Sequence, residues 1–128
     1  TDAGYDWDSY VKYGRQRFLT APLMKWMFGK YVSDPAQRGN DLMSPVRASA
    51  ERLRGLPATL IVVAENDILR DEGEAMGRRL DEAGVEVTTV RFNGVVHDWG
   101  MLNGFAALHP TRTLIRLVGS VLRDYLEK

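Results

Sequence analysis

Two side chains in this sequence stand where proton-transfer chemistry could be done. Asp67 lies three residues beyond the apolar, β-branched run 58–64, in Glu65-Asn66-Asp67-Ile68-Leu69. His97 follows 30 residues later, in Asn93-Gly94-Val95-Val96-His97-Asp98-Trp99, five residues beyond a second apolar stretch at 85–92. A carboxylate accepting a hydrogen bond from one imidazole nitrogen fixes the tautomer and stabilises the imidazolium. The other nitrogen is then free to take a proton from a nucleophile. An Asp–His pair at this separation carries little weight by itself; it gains weight if both residues leave the same end of neighbouring strands.

The elements that must position the pair are legible in the pattern. The run Ala58-Thr59-Leu60-Ile61-Val62-Val63-Ala64 has the continuous apolar character of a parallel strand covered on both faces. A helix over about 71–83 follows, with Asp71 and Glu74 as a capping pair and Met76, Leu80 and Ala83 as its apolar stripe. Gly84 sits where a helix end takes a left-handed residue. Val85, Val87, Val90 and Phe92 mark a second strand over about 85–92. Strand, helix and strand at this length form a right-handed βαβ unit whose parallel strands lie about 5 Å apart. Loops leaving their carboxyl ends can therefore bring Asp67 and His97 together, at the place where open α/β sheets collect catalytic groups.

A last helix runs over about 110–126, with Leu114, Val118, Val121 and Tyr125 on one stripe and Ile115 and Leu122 beside it. Upstream, residues 9–31 are rich in aromatic and basic groups. Pro22 opens a helix there, with Leu23, Trp26, Met27, Lys30 and Tyr31 at helical spacing. Residues 33–45 are loop chemistry, and a short helix or turn follows at 46–54. Two parallel strands are too few, because their ladders and apolar faces need neighbours and cover. The chain thus reads as one end of a larger doubly wound sheet, entered partway through.

With 45% hydrophobic and 27% charged residues over 128 positions, the chain can bury a core and is not of disordered type. Seventeen basic residues balance seventeen acidic ones, which leaves no electrostatic footprint for nucleic acid or an anionic membrane. Cysteine is absent, so disulfides, thiolate nucleophiles and Cys-based metal sites are excluded. His97 and His109 with no paired carboxylate spacing suit no other metal site. No apolar run reaches the length of a membrane span, the N-terminus does not read as a signal peptide, and a cytoplasmic location asks for nothing more.

Asp67-Ile68-Leu69-Arg70-Asp71-Glu72-Gly73, then Leu80 and Ala83-Gly84-Val85, then Gly94-Val95-Val96-His97, resembles the hormone-sensitive-lipase-like branch of the α/β-hydrolases. That branch reads Asp-Pro-Leu-Arg-Asp-Glu-Gly, a helix ending Ala-Gly-Val, a strand and a Gly-x-x-His turn. Thr1-Asp2 resembles the stretch after its sixth strand, Leu19-Thr20 to Tyr31 a helical segment beneath its cap, and Ser44-Pro45 the loop that follows. The resemblance covers nearly the whole chain and is strongest over 56–100. It implies a helical segment and loop over 1–45, and over 46–128 the last two parallel strands of the sheet with the final helix. It also implies a carboxylesterase without a cofactor, with Asp67 as triad acid and His97 as base. Ile68 replaces the family's proline, and Asp98-Trp99 replaces its Gly-Phe, a change that bears on the acyl pocket and on the basicity of the histidine.

The family's Gly-x-Ser-x-Gly elbow and His-Gly-Gly-Gly oxyanion loop have no counterpart here; Ser9, Ser33, Ser44, Ser49 and Ser120 all lack the flanking glycines. The expectation is a fragment inactive by itself, completed by a missing N-terminal half or a second copy and acting on a small ester. A binding module of the same fold is the alternative, and an unrelated nucleotide-binding βαβ piece would need a Gly-rich phosphate loop that is not present. Trp26 and Trp99, with Met27, are candidates to line the acyl pocket, set against plain packing. Asp71 and Glu72 read as helix-cap and dipole carboxylates, His109 as a cap or exposed residue, and Arg78, Arg79, Asp81 and Glu82 as a solvated helix face.

Overall fold

The computed structural model describes residues 1–15 and 17–127. Its centre is a two-stranded parallel sheet, β1 (Thr59–Asn66) beside β2 (Val87–Val96), joined by the helix α4 (Arg70–Glu82). Pairing runs from Thr59 with Val87 to Ala64 with Phe92 in step, and then from Asn66 with Val96. Before the sheet come α1 (Asp8–Tyr13), α2 (Ala21–Tyr31) and the short α3 (Ala50–Leu53), and after it α5 (His109–Leu126).

β1 and β2 form where the β-branched residues cluster, and both outrun the sequence expectation. β1 continues through Glu65 and Asn66, and β2 continues to Val96 rather than ending at 92. The reason is a bulge: two steps along β1, Ala64 to Asn66, face four along β2, Phe92 to Val96. Gly94, at φ +76°, supplies the left-handed residue, and its N–H donates to Glu65 Oε2 at 2.7 Å. β1 is buried fully only at Val63 and Ala64, and the rest of the strand is half-covered, so the two-sided burial expected of it is only partly met within the described residues.

α4 ends in a Schellman motif, as Gly84 implies. Val85 N–H donates to Leu80 C=O at 2.9 Å and Gly84 N–H to Asp81 C=O at 2.9 Å, with Gly84 at φ +78°. Its other end departs from the capping pair expected of Asp71 and Glu74. Leu69 occupies the N-cap with no side-chain bond, while Asp71 turns away to α1 and Glu74 pairs with Arg91 of β2. Leu80 and Ala83 join Ala48, Leu53 and Val85 in one core cluster, with Met76 packed against it.

The helix lies close on the sheet because its inward face carries glycines. A Cβ on Gly73 would meet Val63 Cγ1 at 2.7 Å, and one on Gly77 would strike the Thr89 side chain. Gly77→Val should lower stability by about 2–3 kcal/mol through overpacking. Gly29→Ala on α2, where a Cβ meets nothing, should raise it by up to about 1 kcal/mol. Urea midpoints of the two variants check the pair, and equal midpoints would contradict this packing.

α2 begins as Pro22 implies, with Thr20 Oγ1 accepting from Leu23 N–H, but it turns a different face inward. Met24 and Phe28 are buried, whereas Leu23, Trp26, Met27 and Tyr31 are exposed, Trp26 at 60%. The inner face is chosen by aromatic partners from the preceding segment. Tyr5 meets Phe28 edge-on at 5.6 Å and Tyr10 at 5.8 Å, within a cluster that also holds Tyr13, Leu19 and Ile68. α5 begins at His109, which is exposed and makes no cap bond, so of the two roles expected of it only exposure holds. No helix among the described residues is long and apolar enough to cross a membrane.

Candidate active site

Asp67 is the first residue beyond β1 and His97 the first beyond β2, so the bulge has removed the offset that the sequence suggested. The two side chains meet: His97 Nδ1 lies 2.8 Å from Asp67 Oδ2. The second carboxyl oxygen, Oδ1, accepts the Leu69 N–H at 2.9 Å, which locks the carboxylate plane in a local turn. A carboxylate can only accept, so Nδ1 carries the proton and Nε2 is the nitrogen left for chemistry. The hydrogen bond to Asp67 holds the His97 imidazole above its usual range; burial works against this, and the charges of Asp67 and Asp98 add to it.

The loop that carries Asp67 is fastened to α1. Ser9 Oγ donates to Ile68 C=O at 2.5 Å, and Ile68 is wholly buried. Ser9 N–H donates to Asp71 Oδ2 at 2.8 Å, and Arg70 bridges Asp71 Oδ1 at 2.8 Å and Tyr13 Oη at 3.1 Å. Burial pushes the Asp71 carboxyl up, but Arg70 and Ser9 more than offset it and hold it below the usual carboxylate range. Sequence reasoning missed Ser9 and Arg70 as supports and misread Asp71 as a cap. The only hint was that a serine opens the aromatic segment.

The loop that carries His97 is fastened by Trp99. Its ring is buried and lies 5.4 Å from Phe92, in a cluster with Ala64 and Val95, and its carbonyl accepts from Thr111 Oγ1 at 3.3 Å. Between them, Asp98 takes a left-handed conformation, φ +58°, and sets Oδ1 3.3 Å from His97 Nε2. Asp67, His97, Trp99, Met101 and Glu72 line one open depression of about 350 Å³. Trp26 is not part of it; it stands on the outer face of α2 beside Lys30. A wider cleft of about 700 Å³ lies elsewhere, among Asp2, Arg47, Arg78 and Arg79. Its acidic and basic walls are partly paired, since Asp2 accepts two bonds from Arg47 at 2.7 and 2.9 Å.

Glu72 is the surprise of the site. Expected as a dipole carboxylate, its side chain is instead 1% exposed, and neither oxygen has a hydrogen bond of good geometry among the described residues. Burial pushes its carboxyl up to about 8; the Thr1 amino group, 4.0 Å away, opposes this, and the charges of Asp2 and Asp67 add to it. At neutral pH it is therefore mostly a neutral acid. No group of three or more metal-ligating side chains occurs among the described residues.

The profile of a protein family described as alpha/beta hydrolase fold matches residues 1–101. Ethyl acetate hydrolase of Pseudomonas putida is 36% identical over 99 residues, covering 77% of this chain and 30% of its own length. The crystal structure of a thermostable esterase from Pseudomonas putida superposes with a TM-score of 0.90 at 44% identity, over 93% of this chain and 37% of that one. Brefeldin A esterase, a bacterial homologue of human hormone-sensitive lipase, superposes with a TM-score of 0.85 at 30% identity, over 94% and 36%. The chain spans about a third of the length of the curated relatives it matches.

Proposed function

Since the chain belongs to the α/β-hydrolase fold family, in its hormone-sensitive-lipase-like branch, we propose that it supplies the acid and the base of a serine carboxylesterase. Asp67 orients and charge-balances His97, and His97 Nε2 takes the proton of a serine carried by a segment outside these 128 residues. The observation that carries this reading is the 2.8 Å contact between Nδ1 and Oδ2 at the ends of two adjacent parallel strands. The substrate is a small carboxylic ester, a reading supported by the ethyl acetate hydrolase among its relatives and by the modest size of the depression. Residues 1–45 shape the surroundings of the acid through α1, and 46–128 carry the pair.

Hydrolysis needs the nucleophile and the oxyanion donors, and these are the largest contributions to acyl transfer. None of the five serines stands in a Gly-x-Ser-x-Gly turn, and Ser9 is committed to Ile68 and Asp71. This chain by itself is therefore inactive, and a missing N-terminal half or a second copy must complete the sheet. Treatment with a fluorophosphonate, followed by intact mass, tests both statements. The expected result is no adduct on the 14.4 kDa chain and an adduct on a serine of the segment that completes it, together with hydrolysis of p-nitrophenyl acetate by the completed protein only. An adduct on this chain, or no hydrolysis by the completed protein, would overturn the proposal. The same fold as a pure binding module is disfavoured by the formed Asp67–His97 pair.

A further inference from the structure

We propose that Asp98 is a positioning residue for His97, holding the imidazole protonated at Nε2 in the resting site and thereby setting the acid limb of ester hydrolysis. This rests on His97 being the base, as proposed above.

The geometry requires little else. Nδ1 must carry a proton, because it faces Asp67 Oδ2 at 2.8 Å and a carboxylate cannot donate. A second carboxylate oxygen, Asp98 Oδ1, stands 3.3 Å from Nε2. Set against the lone pair of a neutral ring it would be repelled; set against Nε2–H it is attracted. Carboxylates at both nitrogens therefore select the imidazolium. The placement is not incidental, since Asp98 adopts φ +58°, where aspartate is among the few residues tolerated. That conformation is held by two bonds to its carbonyl, from Met101 N–H at 2.9 Å and Leu102 N–H at 3.2 Å.

A serine hydroxyl must approach the same nitrogen to deliver its proton. Asp98 can yield the place because its side chain is 41% exposed and opens to solvent. The consequence is a base that must first lose its resting proton, with Asp98 opposing that loss. Other ionisable side chains facing the depression are Asp67 from the loop after β1 and Glu72 from α4. Glu72 ionises near pH 8, equally in the wild type and in Asp98 variants, β1 and α5 contribute only apolar side chains, and among the described residues no Lys or Arg lines the depression.

Asp98→Asn tests this while sparing the fold, since asparagine accepts the left-handed conformation and keeps the shape. Asp98→Gly, which removes side chain and steric strain together, is the second variant. The chain holds only two histidines, so proton NMR follows both imidazoles, and exposed His109 is an internal control. In both variants His97 should titrate at lower pH while His109 stays unmoved. In the completed enzyme, kcat/KM at pH 5.5 relative to pH 8.5 should rise roughly three- to tenfold, with KM little changed. Asp98→Glu should recover part of the wild-type profile, which a purely structural role would not explain. Unmoved titration of His97 in both variants would overturn the proposal. A moved titration without any ester hydrolysis by the completed wild-type protein would instead sink the esterase reading and, with it, the rate half of this inference.

Discussion

Asp67→Asn, in the protein that joins this chain to its serine, should cut kcat for ester hydrolysis by about 10⁴-fold with little change in KM. The substitution is nearly isosteric, so the effect must come from hydrogens. The amide oxygen can keep the Leu69 N–H bond that Asp67 Oδ1 makes at 2.9 Å. That assignment turns the amide NH2 toward His97 Nδ1, 2.8 Å away in the wild type. A donor at that position demands an acceptor, so Nδ1 loses its proton and the ring takes the tautomer with Nε2–H. A ring protonated at Nε2 cannot accept the serine proton. Nitrogen chemical shifts of His97 should report the switched tautomer directly, and His97→Ala should cost at least as much. A loss of less than about tenfold in Asp67→Asn, with the tautomer switched, would show that another carboxylate serves as the acid.

The pair was legible because its two placements are local consequences of sequence. A β-branched run ends, a polar residue follows, and parallel strands bring their ends together. Gly84 likewise announces the helix end, since no tertiary contact is needed for a left-handed turn. The failures share a different cause. Leu23, Trp26, Met27 and Tyr31 are as apolar as Met24 and Phe28, so the pattern of α2 does not say which face goes inward; Tyr5 and Tyr10 decide that from outside the helix. Asp71 looks like a cap because a cap is the commonest use of an acid in a first turn, yet Ser9, far away in sequence, offers it a better bond. The two-residue offset of His97 was hidden in a bulge whose trace in the sequence is Gly94 alone. For Trp99 the sequence leaves pocket lining and plain packing open, and its tilted ring contact with Phe92 and its tie to Thr111 show that it holds the loop.

Stability of the chain should fall as pH rises from about 5 to 9, and Glu72→Gln should remove most of that slope. Glu72 ionises near 4.5 when unfolded and only near 8 when folded, so folding takes up a proton between those values. A folded state that binds more protons loses stability as pH rises, at about 1.4 kcal/mol per unit for one proton. The contribution is fully present below 4.5 and is lost as pH passes through 8; at pH 9 its loss is on the order of 3–5 kcal/mol. His97, also raised in the folded state, adds a smaller slope of the same sign beginning above its ordinary 6.5. Asp2 and Asp71 act the other way. Burial raises both carboxyls, but Arg47 with the Gly4 N–H and Trp7 outweighs it at Asp2, as Arg70 with Ser9 does at Asp71, so both are held below 3.8 and their stabilisation disappears only in stronger acid. Maximum stability should therefore lie near pH 4–5, below the usual range of about 5–8. Glutamine keeps the shape and cannot ionise, so urea midpoints of Glu72→Gln should come close to the wild type at pH 4 and exceed it clearly at pH 9. Parallel curves for the two proteins would mean that Glu72 is ionised in the fold. The neutral acid has a consequence for the site as well: an ionised Glu72 would add a third carboxylate to the depression that already holds Asp67 and Asp98, and burial opposes this below about pH 8.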